Sequence, residues 1–491
     1  MTEKDKKPCF SKTKETQPNS RFYNYTLFIF ISLTTWFLVL FLYLPPTVPT
    51  NSKQQNTHSL HKTKNLNSIN NENYSHTPFS VYIYNLPPQF NFDLLKNCSH
   101  LNIYSNMCPH VANQGLGQPL PDMATDLGLG SDSGHAPWFA THQFLAEMIF
   151  HARMENHLFR TWDPSRATLF YVPFYGGLHA SSKFSETNHT VRDELAVRLE
   201  DFLRSQPWWD RHQGKDHFMV LGRTSWDFMR TPGGSDFGAN YLLNLPRVRK
   251  MSVMTVERHL WKGSNQHGIP YPSYFHPSTS QQMLTWQQKM RQLRRPHLFT
   301  FIGAPRKGVG KAAIRKELIR QCGESTRCNL VACINTEGSS KCYKPSEVIK
   351  AMSSSEFCLQ APGDSFTRRS TFDSVLAGCI PVFFSPHTAY TQYGWFLPAD
   401  GEEYSVYIDG EKGNVRVKIE EELLKIPRER VERMRNKVID LIPRVTYKHP
   451  NASDDDAEFK DAVDVTIAAL AKHVQTIILG GKNKSNNNQI L

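Results

Sequence analysis

Residues 361–384 read APGDSFTRRSTFDSVLAGCIPVFF. Arg369 and Asp373 stand four apart, so on a helix their side chains share one face. Arg368 and Arg369 open that helix, behind a Gly-Asp-Ser loop that contains Ser365. Gly378 is a natural helix stop, and Ile380–Phe384 is an apolar run typical of a parallel strand. Cations at a helix start behind a loop of small residues suit a phosphate. A surface i, i+4 ion pair is the plain alternative. A second stretch, FTFIGAPRKG, sets Arg306 and Lys307 just after Gly303, where a missing side chain permits close backbone approach. In open α/β sheets, ligands bind beyond the carboxyl ends of the strands. The two segments together therefore predict a diphosphate cradle, with Asp373 accepting hydrogen bonds from a ribose. The ligand these residues describe is a nucleoside diphosphate.

The elements that carry them alternate strand and helix. FSVYIYNLP reads as a strand, 110–136 as a long Gly/Pro/Asp-rich loop, and WFATHQFLAEMIFHARMENH as a helix. ATLFYVPFY and DHFMVLG are buried strands flanking the amphipathic helix VRDELAVRLEDFLRSQ. The pattern restarts near residue 296 with HLFTFIGAP, KAAIRKELIRQC, PSEVIKAMSSS and EFCLQAP. Amphipathic helices are expected from Pro427 to Leu441 and over 457–479. This is an α/β pattern with parallel sheets in two halves, 78–290 and 291–480, followed by a polar tail at 481–491.

At 491 residues the chain suits two or three domains, and 39% hydrophobic residues provide a sizeable core. The net charge is +12, and the first 80 residues hold nine Lys or Arg against four acids. The mild excess elsewhere suits anionic small ligands as well as polyanions. YTLFIFISLTTWFLVLFLYL, residues 25–44, is free of charge and long enough to span a bilayer. Six Lys or Arg precede it and three follow within twenty residues, which predicts a cytosolic tail at 1–24 and a type II, single-pass orientation. Residues 45–77, rich in Asn, Ser and Thr, are expected to form a disordered lumenal stem. Sequons at Asn73, Asn97, Asn188, Asn451 and Asn483 agree with a lumenal body, as do eight cysteines beyond the span. Cys98 and Cys108 are placed to pair across a loop. Cys322, Cys328, Cys333 and Cys342 lack the C-x-x-C pair of a zinc site and read as disulfides. Gly303 and Gly308 mimic a Walker loop, but the residues after Gly308 lack the magnesium-binding hydroxyl. SDDDAE follows a sequon and reads as a solvated charge cluster; no metal site is expected.

GDSFTRRSTFDSVLAGCIPVFF, AYTQYGWFLP, TWDPSRATLFYVPFY and DHFMVLGRTSWDF resemble the exostosin-like family 47 glycosyltransferases of plants, and within them the xyloglucan galactosyltransferase clade. The resemblance covers about residues 79–475. It implies a GT-B fold, two Rossmann-like domains facing a cleft, in a type II enzyme of the Golgi membrane. It also implies a UDP-galactose donor and a xyloglucan acceptor, no nucleic-acid partner, and room for complexes with other Golgi glycosyltransferases. By resemblance, Asp373 matches the acidic residue that holds the ribose, and Arg306, Arg368 and Arg369 match basic positions near the diphosphate. An arabinosyltransferase or another UDP-sugar enzyme is the runner-up. A non-catalytic scaffold or lectin-like subunit is the reading of another class, against which the intact Arg306, Arg369 and Asp373 argue.

A β-linked product from a UDP-α-sugar requires inversion in one in-line displacement. The reaction needs a general base on the acceptor hydroxyl and charge stabilisation on the departing diphosphate. Arginines can do the second without a cofactor, which leaves stimulation by a divalent metal open. For the base, Asp227 in GRTSWDF comes first, with His179 after VPFYGG and Glu147 behind it. Each has a plainer role, as a helix cap, a loop histidine or a buried helix partner. Trp138, Trp208, Trp209 and Trp226 could stack on acceptor sugars, but core packing uses aromatic residues more often.

Overall fold

The computed structural model describes residues 79–128, 137–231, 237–306, 310–333, 341–410, 417–453 and 456–487. The expected cytosolic tail, membrane anchor and stem lie outside these residues, as do Asn73, Lys307 and part of the 110–136 loop. Helices of seven or more residues are numbered below, and shorter turns are named by residue.

Two parallel sheets organise the described chain. The first contains β1 (Val81–Ile83), β2 (Arg160–Thr161), β3 (Leu169–Tyr171), β4 (His217–Thr224), β5 (Ser252–Glu257) and β6 (Gln266–Gly268), in the order β2-β1-β3-β4-β5-β6. The second contains β7 (His297–Gly303), β8 (Cys328–Ala332), β9 (Ser355–Gln360), β10 (Ile380–Phe383) and β11 (Val406–Tyr407), in the order β11-β10-β9-β7-β8. Every pairing between them is parallel. Parallel strands are covered on both faces, which is why β3, β5, β9 and β10 are buried along their whole length. Period-two alternation divides the first sheet. Leu169, Tyr171, Phe218 and Val220 join the main core, while Phe170, Met219 and Leu221 face a second core.

The connecting helices are α1 (Ala146–Glu155), α2 (Gly176–Ser182), α3 (His189–Ser205), α4 (Ser280–Gln292), α5 (Ile314–Glu324), α6 (Pro345–Ser353), α7 (Arg369–Leu376), α8 (Arg428–Val445) and α9 (Ala462–Asn487). Asn188 and Thr279 cap α3 and α4 through side chains that accept backbone N–H bonds. The helix expected over WFATHQFLAEMIFHARMENH forms only from Ala146. Residues before it are held extended by bridges from Phe139 to Pro119 and from Trp138 to Phe275. The 110–136 segment is not a plain loop either, since Asp122–Asp126 forms a helical turn. The stretch Ala462–Leu479 is long and apolar enough to cross a membrane, but Ala462, Val463, Ile467 and Leu470 are core residues. The start of α9 is bound to the first sheet's layer. Arg153 Nε donates to Asp461 at 3.2 Å, and His157 pairs with Asp464 at 3.0 Å.

The eight cysteines pair as Cys98–Cys108, Cys322–Cys328, Cys333–Cys342 and Cys358–Cys379. The last bridge ties β9 to the turn before β10. It brackets the 361–368 loop and α7.

Candidate active site

In the second sheet the chain runs from β7 outward to β8 and then returns to β9 on the other side of β7. Loops leaving β7 and β9 therefore diverge, and the crevice between them is the expected ligand position in an open parallel sheet. Arg306 follows β7, Arg315 lies at the start of α5, and Arg368 ends the loop after β9. Arg306 meets only the exposed Asp364, at 3.6 Å, among the described residues. Arg315 is buried, donates through Nε to the Ala304 carbonyl at 2.7 Å, and lies over the Phe301 ring. Burial, with Arg368 and Arg306 as neighbours, pushes its pKa down to about 9. Arg368 makes no hydrogen bond among the described residues, and burial lowers its pKa too. Three guanidinium groups thus converge with one acid near them, an arrangement that an anion would relieve.

Two glycines make this possible. A Cβ at Gly363 would collide with Arg368 Nη1, and a Cβ at Gly303 would collide with Arg315 Nη2. The sequence pattern predicts that Gly303 admits a phosphate to the backbone; in the structure it is Arg315 that occupies that space. Ser365 donates its hydroxyl to the Thr367 carbonyl at 3.3 Å and shapes the loop.

Arg369 and Asp373 are placed differently. Arg369 Nε faces Asp373 at 3.4 Å, Nη1 donates to the Thr141 carbonyl at 2.9 Å, and the guanidinium lies over Tyr274. Asp373 is buried and accepts the Ser273 hydroxyl at 2.6 Å. These partners come from the segments before α1 and before α4, so the pair locks α7 in place. Its groups are engaged, whereas those of Arg368 make no hydrogen bond among the described residues.

The carboxyl ends of the first sheet bring the expected bases near the seam but enclose them. Asp227 Oδ2 accepts from Arg223 Nε at 2.7 Å and Thr224 Oγ1 at 3.2 Å, while Oδ1 is enclosed without a partner among the described residues. Burial pushes its pKa upward against the pull of Arg223. Glu147 accepts three backbone N–H bonds, from Gly177, Leu178 and Gly222, at 2.8 to 2.9 Å. It thereby anchors the start of α2 and the end of β4. Burial still raises it to about 7. His179 is buried, with Nδ1 enclosed and without a partner among the described residues, and its pKa is pushed down to about 4 by burial. Trp138 and Trp209 are core residues, and Trp226 stacks on Phe237.

Sequence reasoning missed Arg315, Glu257 and Trp261. Glu257, at the end of β5, accepts both the Thr367 amide at 2.8 Å and its hydroxyl at 2.5 Å. This joins the first sheet directly to the loop of Arg368. Trp261, 76% exposed, stands four residues further on beside His387, which in turn meets Phe366. A cavity of about 390 Å³ lined by Asp126, Lys289, Arg294 and Lys350 also involves Ser353 and Ser354, just before β9. It therefore lies at the opposite strand ends from the arginines.

Residues 75–423 match the exostosin GT47 domain. The chain is 60% identical over 81% of its length to an Arabidopsis thaliana protein named probable xyloglucan galactosyltransferase GT17, covering 83% of that protein. It is 42% identical over 88% of its length to xyloglucan galactosyltransferase MUR3 of the same plant, covering 67% of it. It is also 40% identical over 80% of its length to the Arabidopsis xyloglucan-specific galacturonosyltransferase 1, covering 57% of it. With two parallel sheets meeting at their carboxyl ends and an anion-ready crevice in the second, the chain belongs to the exostosin GT47 family of glycosyltransferases.

Proposed function

We propose that this enzyme transfers galactose from UDP-galactose to a xylosyl side chain of xyloglucan, with inversion to a β-linkage. The observation that carries the donor half is Arg368, without a hydrogen-bond partner among the described residues, beside Arg306 and Arg315 at the crevice between β7 and β9. In the reaction the acceptor oxygen bonds to the anomeric carbon as the bond from that carbon to the phosphate oxygen breaks. The departing electron pair ends on UDP, where arginine cations stabilise it without reorganisation. Galactose and xyloglucan are supported by the names of the relatives at 60% and 42% identity. The galacturonosyltransferase relative favours one second reading, a UDP-galacturonic acid donor on the same acceptor. The four disulfides and the apolar 25–44 span support a type II enzyme whose body lies in the oxidising Golgi lumen.

The test uses the full chain in detergent, galactose-free xyloglucan oligosaccharides and a panel of UDP-sugars. Gain of one hexose, released by β-galactosidase, is the expected result. Gain of a hexuronic acid selects the second reading, and gain of a pentose selects an arabinosyltransferase. UDP binding without transfer from any donor would overturn the proposal.

A further inference from the structure

The displacement needs a base at the seam. The three carboxylate and imidazole candidates read from sequence each fail one structural requirement. Glu147 has both oxygens taken by amides of its own half. Asp227 has one oxygen held by Arg223 and Thr224 and the other enclosed. His179 has its Nδ1 enclosed and without a hydrogen-bond partner among the described residues. A base must keep one atom open to the acceptor, be held by its other atom, and stand beside the departing diphosphate.

Glu257 meets the first two conditions directly, and the third through the loop that it grips. Both bonds from Thr367 fall on Oε2, so Oε1 makes no hydrogen bond among the described residues. Oε1 is also not among the fully enclosed unpartnered atoms, unlike Asp227 Oδ1. Thr367 directly precedes Arg368, so the carboxylate is fixed to the loop whose last residue is the cation that would face the diphosphate. Tyr271 reinforces the placement, with its hydroxyl 3.1 Å from Thr367 Oγ1. Exposed Trp261 follows four residues later on the same connection, an aromatic surface on which an acceptor sugar could rest.

We propose that Glu257 is the general base of the transfer, a step that rests on the glycosyltransferase reading above. Oε1 takes the proton of the acceptor hydroxyl as the acceptor oxygen bonds to the anomeric carbon. The bond to the diphosphate breaks, and UDP leaves with that electron pair. Oε2, fixed by the Thr367 amide and hydroxyl, sets the orientation of the carboxylate.

The test is Glu257→Gln in the full chain, because glutamine keeps an oxygen to accept from Thr367. Loss of general-base catalysis lowers kcat by about 10²- to 10⁴-fold while donor KM stays within about threefold of wild type. Azide is an anion that needs no proton removed, so Glu257→Ala should form glycosyl azide from UDP-sugar and azide at a rate close to wild type. Thr367→Val removes one of the two bonds that hold Oε2, so it should lower kcat as well, by a smaller factor than Glu257→Gln. Glu257→Gln turnover within about tenfold of wild type would overturn the assignment while leaving the transferase reading intact. So would a Glu257→Gln variant whose only defect is a raised donor KM. A wild type that transfers no sugar overturns the transferase reading, and the base with it.

Discussion

Adjacent arginines at the start of α7 should respond in opposite ways to the same substitution. Arg368 has no hydrogen-bond partner among the described residues and is surrounded by Arg315 and Arg306. Removing it in Arg368→Ala breaks no native bond and relieves repulsion, so thermal stability should stay level or rise. A charge-assisted hydrogen bond to phosphate contributes about 1.5–3 kcal/mol, so UDP affinity should fall roughly ten- to a hundredfold. Arg369→Ala instead leaves Asp373 buried with only the Ser273 hydroxyl, and strips the Thr141 carbonyl of its donor. Removing one member of a buried pair costs about 3–5 kcal/mol. With the Arg369 side chain 21% exposed, the lower end of that range is expected. Titration calorimetry with UDP and a thermal melt of each full-length variant measure both quantities. Arg368→Ala with wild-type UDP affinity would refute the reasoning. So would Arg369→Ala that melts like wild type but no longer binds UDP, because the pair would then be the phosphate clamp itself.

Three further outcomes follow from the same geometry. Gly363→Ala should displace the Arg368 guanidinium and weaken UDP binding without a change in secondary structure by circular dichroism; unchanged affinity would show that the loop yields freely. Trp261→Ala should raise acceptor KM about three- to tenfold, the value of a stacked aromatic contact, and leave donor KM alone. Equal effects on both substrates would remove Trp261 from the acceptor side. Glu147 is raised by burial to about 7, above its value in the unfolded chain. Stability from its protonated form is present below the unfolded pKa and is lost as pH rises toward about 7. The Tm of wild type relative to Glu147→Gln should therefore fall from about pH 5 to pH 7, and a flat difference would contradict the shift.

The strands that carry the arginines are legible in the sequence because parallel strands are buried on both faces. HLFTFIGAP, EFCLQAP and CIPVFF announce themselves as apolar runs, and the helices between them by periodicity. β5 is harder to see, since SVMTVE alternates small polar residues with apolar ones and ends in charge. β8 is hidden between cysteines. The over-long helix before Ala146 is a tertiary effect. Trp138 is drawn into the core against Phe275 and Trp286, and that packing outweighs the local preference for helix.

The site divides along a finer line. Helical spacing reports that Arg369 and Asp373 share a face, but not what waits opposite that face; here it is Ser273, Tyr274 and Thr141. Arg368 is the N-cap, with φ −154° and ψ 148°, so its side chain leaves the helix direction and lies across Gly363. One residue of difference in backbone conformation thus separates an open cation from a locked one. Glu257 carries no local signal at all, because its meaning comes from Thr367, 110 residues away. Asp227, by contrast, has a clear local signal, since it lies just past a strand end. The same locality gives it Arg223 and Thr224 as partners within four residues. A carboxylate satisfied by its own turn has little left to offer a substrate. One held by the opposite half is oriented only when the two sheets are together, which is where an acceptor and a sugar nucleotide would have to meet.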